Sequence, residues 1–74
     1  MDTRAKNLEK AKKSLQISLE SLEKAISYHE NAESGALDWI ESDIAKYAEE
    51  LYARRAQAHL SMALEKIREC GKAE

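Results

Sequence analysis

A chain of 74 residues has room for one domain at most, and at this size a single core supplies only a few kcal/mol before staples or oligomerisation are added. The lone Cys70 excludes an intrachain disulfide and a cysteine-built metal site, and no stretch approaches the roughly 18 apolar residues of a membrane span. With 43% hydrophobic and 35% charged residues, two glycines, no proline and a net charge of only −2, the composition is that of long helices rather than of a disordered chain.

The basic segment 1–13 lacks the apolar run of a secretory leader, so the chain is expected to be soluble and cytoplasmic. From there Leu8, Ala11, Leu15, Leu19, Leu22, Ala25 and Ile26 recur on one side of a 3.6-residue helix, which predicts helix one over about 3–32. Asp2 or Thr3 is its candidate N-cap, because a short side-chain oxygen can accept from the free amides of the first turn. A turn is predicted at 33–36, where Gly35 can take the left-handed conformation that closes a helix. Ser34 or Asp38 is then the candidate cap of helix two, predicted over about 37–70, and Gly71 reads as its terminator.

Helix two carries two apolar stripes. Leu37, Ile40, Ile44, Tyr47, Ala48 and Leu51 form one, and Tyr52, Ala56, Leu60, Ala63, Ile67 and Cys70 form another, turned by roughly 100°. A lone hairpin offers helix two only one partner. The pattern therefore predicts an all-α fold over residues 1–74, a long antiparallel two-helix hairpin that dimerises into a four-helix bundle. Leu15, Leu19, Leu22, Ile26, Ile40, Ile44 and Leu51 are expected in the core within the chain. The expected intermolecular surface is Tyr52, Ala56, Leu60, Ala63, Leu64 and Ile67, with Ile17 and Trp39.

Charge is divided along the hairpin. Residues 1–18 with 52–74 hold ten basic against five acidic residues, a net +5, whereas 19–51 hold two against nine, a net −7. Folding the chain in half gathers the two basic ends at one pole and the acids at the other. Such polarity bears on association and choice of partner rather than on fold.

Little in the chain suggests catalysis. His29 and His59 lack the Glu-x-x-His spacing of bundle metal sites, since Ile26 and Ala56 stand three residues before them. His29 with Glu33 supplies two ligands at most, and a hydrogen-bonded histidine is the expected role. Cys70 falls in the last turn, where the helix dipole disfavours a thiolate, and no glycine-rich phosphate loop is present. No enzyme activity and no cofactor are expected. Lys6, Lys10, Lys13, Arg54 and Arg55 are candidate phosphate contacts at the basic pole, which would make the chain a nucleic-acid-binding regulator.

Short stretches resemble known helices. Arg54-x4-His59 is similar to the motif of the HEPN ribonucleases at those two residues. Ile40-Glu41-Ser42 with Ala48-Glu49-Glu50-Leu51-Tyr52 resembles part of the second helix of the plasmid repressor-of-primer hairpin, and Leu51 to Ala58 resembles a single tetratricopeptide helix. Each covers a small part of the chain and carries over no functional residue. The leading expectation is a small non-enzymatic protein acting by association with itself or with another helical protein, as an adaptor, chaperone or inhibitor in the latter case.

Overall fold

The computed structural model describes residues 3–72 and contains two helices, α1 (Thr3–Glu33) and α2 (Trp39–Lys72). They pack side by side as an antiparallel hairpin, a rod with principal extents of 55 × 13 × 12 Å. Its radius of gyration is 16.7 Å, against roughly 11 Å for a compact chain of this length. A rod this thin has almost no interior away from the seam between its helices.

The turn behaves as its residues dictate. Gly35 has φ +75°, in the left-handed region, and follows the last backbone bond of α1, in which the Ser34 amide donates to the Glu30 carbonyl at 3.0 Å. Asp38 caps α2: its carboxylate accepts from the Glu41 amide at 2.8 Å, and its carbonyl accepts from the Ser42 amide at 2.9 Å. Ser34 instead serves the turn itself, donating to the Asn31 carbonyl and accepting from the Ala36 amide. Because Asp38 is the cap, α2 begins at Trp39 rather than at 37. Thr3 is the first helical residue of α1, and the alternative cap Asp2 lies outside the described residues. Gly71 does not terminate α2 and lies within its last turn.

The seam overturns the expected core. On α1 the inward residues are Asn7, Ala11, Ser14, Ser18, Ser21 and Ala25, all buried, then half-buried Tyr28 and Ala32. On α2 they are Ser42, Ala45, Glu49, Tyr52, Ala56, His59, Ala63, Lys66 and Cys70, with the alanines and the cysteine buried. Both rows step by alternating fours and threes, the 3.5-residue repeat of a coiled-coil seam. Most of its positions hold Ala or Ser, and no large side chain is fully buried. Leu15, Leu19, Leu22, Ile26, Ile40, Ile44 and Leu51, expected inside, are instead 43–62% exposed. The physical reason is close approach. Interaxial distance follows the size of the side chains at the contact, and small residues bring the backbones near enough for direct packing.

At that range a hydroxyl on one helix reaches the backbone of the other. Ser18 donates to the Ala56 carbonyl at 2.8 Å in the buried middle of the seam. Near the open end Cys70 Sγ approaches the Arg4 carbonyl at 3.6 Å, and near the turn His29 Nδ1 lies 3.0 Å from Glu49 Oε1. Tyr28 and Tyr52 stack at 5.7 Å between ring centroids, with Lys24 Nζ 5.3 Å from the Tyr52 ring centre. His59 Nδ1 is buried in the seam without a hydrogen-bond partner, a cost of about 1–3 kcal/mol where no water serves it.

Candidate association face

Positions one residue after each seam position are turned about 100° from the seam. On α1 this row holds Leu8, Leu15, Leu19, Leu22 and Ile26, interrupted by Lys12. On α2 it holds Ala53, Leu60, Leu64 and Ile67, interrupted by Gln57. Two right-handed helices running in opposite directions turn these rows to the same side. One surface hollow accordingly joins Leu22, Ile26 and His29 of α1 to Ala53 of α2. The result is one apolar face along about half of the rod, carrying eight large aliphatic side chains, each 43–58% exposed. Soluble monomers rarely display a contiguous apolar surface of that extent.

The expected interface residues divide on this framework. Leu60, Leu64 and Ile67 lie on the face and remain exposed. Ala56 and Ala63, at 3% and 0% exposure, are sealed against α1 within the hairpin and cannot meet a second molecule. Tyr52 is half-buried in its stack with Tyr28, and Ile17 is half-buried on the opposite flank, in a hollow shared with Glu20, Lys24 and Arg55. Trp39 is 76% exposed at the turn pole. Leu8, Leu15, Leu19, Leu22 and Ile26 belong to the face although sequence reasoning placed this stripe inside. The signal that could have found them is the uninterrupted four–three spacing of small residues from Asn7 to Ala25, displaced by one position from the leucines.

The candidate phosphate contacts are all exposed but are not gathered into one cluster. Lys6, Lys10 and Lys13 follow the flank opposite the apolar face, and Arg55 shares it with Glu20. Arg54 points away from the seam and pairs with Glu50 at 3.3 Å on its own helix. Lys66 is similarly paired with Glu69 at 3.2 Å. His29 is bonded across the hairpin to Glu49 and not held with Glu33 in a two-ligand clip.

The Glu41 amide, donating to the carboxylate, holds Asp38 below its ordinary carboxylate value. No helix among the described residues is long and apolar enough to cross a membrane.

No family model fits the chain, and neither a curated protein nor a solved structure gives a significant match. The geometry of the faces is therefore the ground for a functional reading.

Proposed function

We propose that this is a non-enzymatic protein that works by protein–protein association, most simply as a homodimer whose two hairpins form a four-helix bundle. The observation that carries the reading is the apolar face from Leu8 to Ile26 and from Leu60 to Ile67, left exposed over a seam that buries no large side chain. At about 25 cal/mol per Å² of apolar surface removed from water, covering this face adds stabilisation to what the small residues of the seam contribute. A hairpin of this size needs such a supplement.

The alternative of a nucleic-acid-binding regulator has less support. Glu20 accompanies Arg55, Glu50 holds Arg54, and the lysines of α1 form a solvated flank.

Sedimentation analysis across a range of concentrations tests the proposal. The unsubstituted chain is expected to give a dimer mass, and Leu60→Glu is expected to give a helical monomer. A monomer mass for the unsubstituted chain at every concentration, with a stable helical spectrum, would sink the homodimer.

A further inference from the structure

We infer that the second copy lies antiparallel on this face, with the two-fold axis passing between Leu15 and Leu19 of α1 and through Leu60 of α2. The inference rests on the homodimer reading above and adds to it the orientation and register. Two stacked hairpins related by a two-fold in the plane between them have two choices. An axis along the rod puts both turns at one end and packs α1 on the other copy's α2. An axis across the rod puts each turn beside the other copy's termini and packs α1 on α1 and α2 on α2.

The second arrangement is favoured when the apolar residues of the face meet one another about its axis, and most of them do. On α1, Leu8 meets Ile26 and Leu15 meets Leu19 about position 17, while Leu22 meets the stem of Lys12; on α2, Leu60 meets its own copy and Ala53 meets Ile67, while Gln57 lies near Leu64. The two centres also lie at one height, as a single axis requires. The cross-helix contacts Ser18–Ala56 and His29–Glu49 set residue 17 level with the stretch 57–61 of α2, which contains Leu60.

Charge selects the same arrangement. Placed antiparallel, the −7 middle of each chain lies beside the +5 ends of the other, whereas the parallel arrangement stacks one set of nine acids on the other. Each surface pair contributes little, about 0–1 kcal/mol, so the charge selects the orientation rather than supplying the main stability.

Cross-linking tests the register. In a Cys70→Ala background, so that only introduced thiols react, Leu60→Cys is expected to form a disulfide-linked dimer under mild oxidation, because the two copies of this residue meet on the axis. Leu8→Cys alone is expected to stay unlinked, its counterpart lying 18 helical positions away, or about 27 Å. Leu8→Cys combined with Ile26→Cys is expected to link, which gives a second readout should Leu60→Cys weaken the dimer. The orientation is overturned if Leu60→Cys stays unlinked in a protein of dimer mass while mixed Leu15→Cys and Leu60→Cys chains join to each other. A monomer mass for the unsubstituted chain overturns the dimer itself, so the two failures are distinguishable.

Discussion

Ser18 on α1 and Ala56 on α2 are joined by a 2.8 Å hydrogen bond from the serine hydroxyl to the alanine carbonyl, in the buried middle of the hairpin. A side chain reaches a partner helix's main chain in this way only when the helices run close together, so the bond marks the small-residue seam as the primary contact. Substituting Ser18→Ala keeps the space and removes the bond. The expected loss is about 0.5–1.5 kcal/mol in a denaturant melt, while Ser18→Leu, which forces the backbones apart, costs about 1–3 kcal/mol or more.

Large and small residues exchange their usual roles across this hairpin. Ala63→Leu is expected to lower the melting temperature steeply, because a buried position at 0% exposure has no room for a larger side chain. Leu64→Ala on the neighbouring exposed position is expected to weaken association while the chain remains helical. Sedimentation and circular dichroism on the two variants separate these effects. Equal loss of helix in both would contradict the division into seam and face.

The two glycines, alike in sequence, should respond oppositely to alanine. Gly35 sits at φ +75°, so Gly35→Ala is strained even though its surroundings are open, and a cost of roughly 1–2 kcal/mol is expected. Gly71 is helical with open space beside it, and Gly71→Ala is expected to stabilise by up to about 1 kcal/mol. Thermal melts of both variants at one protein concentration check the pair.

Asp38 gives the turn a dependence on acid. Its carboxyl is held below the ordinary value by the Glu41 amide, so its contribution is fully present above the unfolded-state pKa and is lost as pH falls through the lower folded value. Asp38→Asn keeps a capping oxygen without the charge and is expected to remove that acid-side loss. Asp38→Ala removes the cap altogether and should melt lower than the parent at neutral pH. An unchanged acid limb in Asp38→Asn would show that other carboxylates govern it.

The Tyr28–Tyr52 stack adds a second tie between the helices near the turn. A double-mutant cycle with Tyr28→Leu and Tyr52→Leu is expected to give a coupling of about 0.5–1.5 kcal/mol. A coupling near zero would mean that the stack only fills space.

Much of this molecule is legible along the chain, because it depends on local chemistry. The long apolar period without proline dictates two helices, Gly35 and Asp38 place the turn and the cap, and the order of Lys, Arg, Asp and Glu fixes the electrical polarity. Which face turns inward is not a local property. Two rows with the same 3.5-residue repeat run one position apart on each helix, one carrying the buried alanines and serines and the other the leucines and isoleucines of the face, and periodicity weighs them alike. Only the tertiary structure decides between them. The small row lets the helices touch along their backbones and leaves the large row for a surface that no single hairpin can cover.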